Sequence, residues 1–325
     1  MKSKISIIIP VYNAENRLRC LNPLLSQTFG DFEAICINDG SEDNSLQILK
    51  EYQEKDNRIK VHSQTHSGPA QARHKAISCA TGKYIMFCDA DDCYSDDMIE
   101  IMVNAIEKYD TDIVVCDTNV HNNESLNNEY KTYEEYPRLK HKGYHDITLK
   151  LATDINYLLW NKIFKKEIID KYNLTYPERY EHDDTVFVMK YLLYAKKYYG
   201  VTKQLYNYFI NNQNSVMDRL YTNKNFNHEY DFCLALKDFL PLLSEREDIS
   251  EELKQKNMTQ LFFHLRHFYL LLPEDKREGG YNCILELTNE YKILLRNKNF
   301  AEIFRCKNRK ELDVLFKESF NKYIV

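Results

Sequence analysis

Residues 84–94 read YIMFCDADDCY. An apolar run ends abruptly in three aspartates within four positions. Aspartate is a poor strand former and a poor core residue, so the carboxylates mark the exit of a buried strand. A surface turn is one reading of the cluster. The other is a seat for a cation. Hard divalent ions such as Mg2+ and Mn2+ prefer carboxylate oxygens and bind through one or two carboxylates plus substrate phosphates. Asp89 and Asp91 are alternate residues leaving a strand, and alternate residues share a direction. No Cys/His cluster offers a competing zinc site.

Outward from this stretch, the first half of the chain alternates strand-like and helix-like segments. Lys4–Pro10 (KISIIIP), Phe32–Asn38 (FEAICIN), Ile59–His62 and Asp112–Asp117 are short apolar runs of the kind buried on both faces of a sheet. Helical spacing predicts helices over 14–25, 45–56, 69–79 and 96–109, with Asp43 and Asn44 as N-caps for the second and Pro69 opening the third. This alternation implies an α/β fold with a mostly parallel sheet and helices on both faces. Ligands then bind beyond the carboxyl ends of the strands. The polar clusters lie there: PVYN after the first strand, NDGS after the second, DADD after the fourth.

Residues 119–138 are polar and irregular and read as a loop. Order is expected to return near 154–170, with a helix over 184–199 and a strand over 204–210; from about residue 225 the pattern is helical. The organisation expected is one domain over 1–215, in two halves, one to about 117 and one over 150–215. A helical C-terminal region over 216–325 follows, for membrane or oligomer contacts.

Composition narrows the class. The chain has 325 residues, 43% hydrophobic and 29% charged, with a net charge of -5, which argues against a general nucleic-acid binder. Nine cysteines without any CxxC pair suggest buried free thiols in a reducing compartment. The N-terminal apolar run is short and stops at Pro10, unlike a signal peptide, and no run approaches the roughly 18 residues of a membrane span. A cytoplasmic protein is expected, with docking at the inner face of the membrane left open.

Each remaining motif has a plain reading. Asn38–Ser41 has the favoured turn residues, yet a carboxylate there could receive a nucleobase edge. Gly68–Arg73 is an ordinary helix start, or a helix N-terminus and a cation beside a diphosphate. Asp183 and Asp184 open a helix, where acids are favourable in any case; one of them could instead be a general base. Trp160 could stack on a sugar or pack in the core. His264 and His267 sit three apart in LFFHLRHF, more simply polar positions on an amphipathic helix than metal ligands. That segment could also dock on a membrane.

Taken in order, PVYN, NDGS, SGPAQAR, DADD and HDDTVF resemble the motif series of inverting family 2 glycosyltransferases of the GT-A fold. The resemblance spans residues 5–117 and reappears over 160–211, where WNKIFKKEII followed by HDDTVF is similar to bacterial enzymes that build surface polysaccharides. It implies a nucleotide-sugar donor, most simply UDP-linked, and a glycan or lipid-linked glycan acceptor. Pro10, Tyr12, Asp39, Arg73, Asp89 and Ala90 would bind the donor: Tyr12 against the base, Asp39 accepting from uracil N3–H, Arg73 near ribose or diphosphate. Asp91, with Asp89, would hold Mn2+ or Mg2+. Asp184 aligns with the second acid of the family's Glu-Asp pair, the expected base, and Asp183 stands where Glu is usual. His74 departs from the asparagine that commonly follows the arginine. Trp160, Asn161 and Lys162 would serve the acceptor.

A non-catalytic nucleotide-sugar or glycan-binding protein on the same fold is the alternative, against which the intact Asp39, Asp89, Asp91 and Asp184 argue. A dinucleotide oxidoreductase is disfavoured, because PVYNAEN follows the first strand where GxGxxG would be needed.

Overall fold

The computed structural model describes residues 3–122, 139–148, 154–176, 183–210, 274–290 and 305–322, with isolated positions at 151, between 233 and 272, and at 303. The chain divides into two compact units: Met1–Arg179 with Asp183–Asn212, and Tyr180–His182 with Gln213–Val325.

Among the described residues the first unit carries one nine-stranded sheet. Its strands are β1 (Ile5–Val11), β2 (Phe32–Asp39), β3 (Ile59–Gln64), β4 (Tyr84–Phe87), β5 (Cys93–Tyr94), β6 (Ile113–Asn122), β7 (Gly143–Asp146), β8 (Lys162–Lys165) and β9 (Lys197–Ile210). The order is β3-β2-β1-β4-β8-β6-β9-β5, with β7 also on β9. The longest ladders, β1 with β2 and β6 with β9, run parallel; the β8 ladders are antiparallel. The mainly parallel α/β architecture expected from the sequence is the one observed.

The apolar runs are buried on both faces, and their alternation separates two cores. Ile5, Ile7 and Ile9 of β1, Ala34 and Cys36 of β2 and Met86 of β4 pack on one side with Leu49, Met98 and Met102. Ile8, Ile35, Ile37, Ile85 and Phe87 pack on the other with Ala72, Ala76, Phe187 and Tyr191. The helices that supply these partners are α2 (Ser45–Lys55), α3 (Pro69–Cys79), α4 (Met98–Lys108) and α6 (Asp183–Leu192); α1 (Leu21–Leu25) and α5 (Lys166–Lys171) are short. All nine cysteines are free.

Several boundaries differ from the sequence reading. The first helix begins at Leu21, not near residue 14, because the preceding chain is held by α2's entry loop. Asn13 has φ 44°, and the amides of Asn13, Ala14 and Glu15 donate to Ser41, Ser45 and Asp43 side chains. Asp43 also accepts from the Ser45 amide and so closes the start of α2, whereas Asn44 donates its side-chain amide to Glu15. The helix expected to reach residue 199 stops at Leu192, and β9 starts at Lys197. Residues 119–122 of the expected loop extend β6; residues 123–138 lie outside the described residues.

The second unit contains α7 (Arg277–Glu290) and α8 (Arg309–Lys322). Tyr281, Ile284, Leu287 and Thr288 form the buried stripe of α7, at helical spacing. The Tyr269 hydroxyl donates to Asp313 on α8, and its ring meets Phe316 edge-on. His264 and His267 lie outside the described residues. Among the described residues no helix is long and apolar enough to cross a membrane.

Candidate active site

Parallel pairing of β1 between β2 and β4 sets their carboxyl ends side by side: Val11 is opposite Asn38, and Ile8 opposite Phe87. Tyr12, Asp39 and the acidic turn at 89–92 therefore emerge together. Pro10 is still within β1, opposite Ile37.

Asp39 is 2% exposed and organises the loop that delivers α3. Its Oδ1 accepts from Gln64 Nε2 at 2.7 Å and the Ser67 amide at 2.9 Å. Its Oδ2 accepts from the Gly68 amide at 2.8 Å and lies 2.9 Å from His66 Nδ1. Gly68 has φ 88°, a left-handed conformation that glycine adopts without strain, and Pro69 then opens the helix. Tyr12 is 43% exposed, and its ring stacks on His66 at 4.0 Å.

Arg73, one turn into α3 and nearly buried, joins the two halves of the site. Its Nη2 lies 3.2 Å from Asp89 Oδ1, and its Nη1 lies 3.0 Å from Asp184 Oδ1 on α6. One guanidinium thus spans the acidic turn and the candidate base. Asp183 opens α6 one residue earlier.

Within the acidic turn the three carboxylates differ. Asp92 does more than turn the chain. It is buried, accepts from the Tyr206 hydroxyl and the Phe209 amide, both at 2.8 Å, and so pins β9 to the turn. Burial, then the neighbouring Asp91 and Asp89, push its carboxyl well above the usual range. The Tyr206 hydroxyl also accepts from the Asp89 amide at 3.3 Å. Ala90 accepts from the Arg19 amide through its carbonyl, and the Arg19 guanidinium lies over the Phe209 ring at 4.5 Å. His121 stacks on Phe209 at 4.6 Å.

This excess of negative charge suits a hard divalent cation. No group of three or more His, Cys, Asp or Glu among the described residues is arranged to hold one, so Asp89 and Asp91 would contribute two carboxylates, and water and phosphate oxygens the rest.

The three residues read as acceptor contacts are turned inward. Trp160 is buried with its indole parallel to Tyr206 at 4.3 Å and Tyr208 at 5.3 Å. Asn161 donates to the Cys116 carbonyl. Lys162 is fully buried, with Nζ donating to Asn156 Oδ1, Leu158 O and Asn161 Oδ1. They brace the sheet under the site; they offer no face to a sugar in this structure.

Burial pulls the Lys162 amine down to about 7, against the pull of Cys116 and Asp184 in the other direction. Between that value and the ordinary lysine range, the unfolded chain binds a proton that the folded chain does not. Folding stability therefore rises with pH from about 7 toward 10, and the penalty of the buried charge is fully present below 7. Urea unfolding across this range should show that rise in the wild type and a flatter profile in Lys162→Met, whatever its absolute stability. Identical slopes would mean that the three oxygens hold the proton in place.

The sequence reading missed His66, Gln64, Ser67, Arg19 and Tyr206. QTHSG carries only turn signals, and Tyr206 lies 114 residues from its partner Asp92.

Comparison with known proteins places these features in context. The family model described as glycosyl transferase family 2 matches residues 6–172. The EpsH protein of Bacillus subtilis (strain 168) is 30% identical over 293 residues, covering 88% of this chain and 81% of EpsH. The poly(ribitol-phosphate) beta-glucosyltransferase of Bacillus spizizenii is 30% identical over 272 residues, 82% of this chain and 40% of that enzyme. Staphylococcus aureus TarS (residues 1–349), solved with UDP-GlcNAc, shares the fold with a TM-score of 0.78 at 20% identity, over 99% of this chain and 92% of that one.

Proposed function

The chain belongs to glycosyl transferase family 2 and is a glycosyltransferase; from that premise we propose a metal-dependent, inverting enzyme of bacterial surface-polysaccharide synthesis. It moves a hexosyl or N-acetylhexosaminyl group from a UDP-sugar to a hydroxyl of a glycan or lipid-linked glycan. The observation that carries this reading is Arg73, which ties Asp89 of the acidic turn to Asp184 of α6, so that donor-side and acceptor-side chemistry meet at one cation. The UDP-GlcNAc complex of TarS supports the donor class, and the name of the Bacillus spizizenii relative, a poly(ribitol-phosphate) beta-glucosyltransferase, supports a polymeric acceptor.

In this scheme Tyr12 and Asp39 receive the base, and Arg73 lies beside the ribose or diphosphate. Asp91 and Asp89 would hold a divalent ion, which would supply positive charge at the leaving diphosphate. Asp184 takes the proton of the acceptor hydroxyl, whose oxygen attacks the anomeric carbon opposite the nucleotide; an α-linked donor gives a β-glycoside. Asp183 follows as a neighbouring charge that shares or supports the base role. The region from residue 216 onward is assigned to acceptor, membrane or oligomer contacts, in a cytoplasmic protein that docks at the inner membrane face.

The test is release of UDP from a panel of UDP-sugars, with Mn2+ and with chelator. Release should require the ion, and Asp91→Ala should reduce metal-stimulated release by about 100-fold or more, as loss of a preorganised electrostatic contact does. UDP release that is indifferent to metal would remove the metal from the reaction. Binding of UDP-sugar without turnover on any acceptor glycan would favour the non-catalytic reading.

A further inference from the structure

His66 makes both contacts that the donor reading assigns to the base. Its ring stacks on Tyr12 with centroids 4.0 Å apart and planes 19° apart, the arrangement in which a flat heterocycle would lie on that tyrosine. Its Nδ1 lies 2.9 Å from Asp39 Oδ2 and 3.1 Å from the Asp39 carbonyl oxygen. Both are acceptors, so Nδ1 carries the proton. Resting on the UDP-sugar reading of this site, we propose that His66 occupies the nucleobase position of the donor-free enzyme and is displaced when uracil enters.

The hydrogen bonds of Asp39 show why something must leave. A carboxylate has about four lone-pair sites. Oδ1 accepts from Gln64 and Ser67 and Oδ2 from Gly68, while His66 Nδ1, hydrogen-bonded to the Asp39 carbonyl, stands 2.9 Å from Oδ2 and covers its remaining site. The Ser67 and Gly68 amides are main-chain groups fixed by the turn into α3. Of the two side-chain donors, only His66 also covers Tyr12. Its side chain is 52% exposed, so the ring has room to swing outward.

Its backbone has none. Gly40 has φ 69°, and a Cβ there would stand 2.7 Å from the His66 amide nitrogen, so the loop is seated against the turn after β2. Displacement is therefore a side-chain rotation, not a loop opening.

The exchange also sets a selection rule. An entering base must repay a stacked face and one N–H aimed at Oδ2. Uracil offers both, through its ring and N3–H. Cytosine turns a bare ring nitrogen toward the same carboxylate, so it loses the histidine contact without replacing it. His66 thus raises the threshold that a base must pass, and it acts as a specificity residue through competition.

The experiment is calorimetric titration of UDP with Mn2+ into the wild type and His66→Ala, with pyrophosphate as a ligand lacking the base. A competitor held by about one charged hydrogen bond and a stack should, when removed, tighten UDP about 3- to 10-fold, and leave pyrophosphate unchanged. Wild-type binding with no gain in His66→Ala overturns the proposal alone. Absence of UDP binding in both proteins overturns it together with the donor reading. As a second readout, the His66 ring signal in histidine-labelled protein, identified by its loss in the variant, should shift on saturation with UDP. A ring signal that does not move also overturns it.

Discussion

Asp184→Asn should lower kcat by about 100- to 10,000-fold, the span of general-base catalysis, and leave UDP affinity close to wild type. The side chains are isosteric, so the amide oxygen can keep its place beside Arg73 Nη1, which lies 3.0 Å from Asp184 Oδ1. The guanidinium also keeps its second partner, Asp89. What disappears is the capacity to take a proton. Steady-state transfer to an acceptor glycan, paired with calorimetric UDP binding, separates the two effects. A variant with near-normal kcat would remove Asp184 from the base role, and Asp183→Asn would be the next substitution to measure. Equal loss of transfer and of UDP binding would instead make Asp184 a support for Arg73.

Asp39→Ala should cost both stability and ligand. The carboxylate is the acceptor for the Ser67 and Gly68 amides and for Gln64. Because the loop can admit water, its loss is expected to cost about 2 kcal/mol, the low end of what the two deprived main-chain donors amount to. UDP affinity should fall by about 10- to 100-fold, the worth of a hydrogen bond to a charged group. Asp39→Asn should fall between, since one oxygen remains to accept from the loop. Urea unfolding and UDP titration check the two halves separately. Unchanged stability in the alanine variant would mean that Gly40 and Pro69 shape the loop unaided.

Much of the architecture was legible because the strands are buried on two faces. Ile5–Ile9 and Phe32–Ile37 admit little else, and their apolar runs announce it. Short or irregular strands escaped. β5 has two residues and β7 four, too few to show a period. β9 was read only over 204–210: it begins with KYYGVTK, and the ladder between β6 and β9 changes register on either side of Asp117, so no regular alternation marks its first half. At the site, the carboxylates stood out as polar residues at strand ends. The histidine that completes the Asp39 shell did not, because its role depends on a turn conformation and not on its neighbours in sequence. Trp160, Asn161 and Lys162 were attractive as acceptor contacts by residue type; their burial became visible only once β8 was seated between β4 and β6 and Tyr206 and Tyr208 of β9 lay against Trp160.

The double use of the Tyr206 hydroxyl has a consequence for biogenesis. A nascent chain that ends before residue 206 contains the acidic turn but lacks the hydroxyl and the Phe209 amide that receive Asp92. Its turn carries a carboxylate without its native partners, in contacts separated by 114 to 117 residues. Such distant contacts are slow to form because a long loop must close first. The acidic turn therefore matures only after β9 has left the ribosome, and the same strand immediately follows the helix that carries Asp184. Synthesis order thus couples the acidic turn to α6: any chain in which Asp92 has its native partners already contains Asp184.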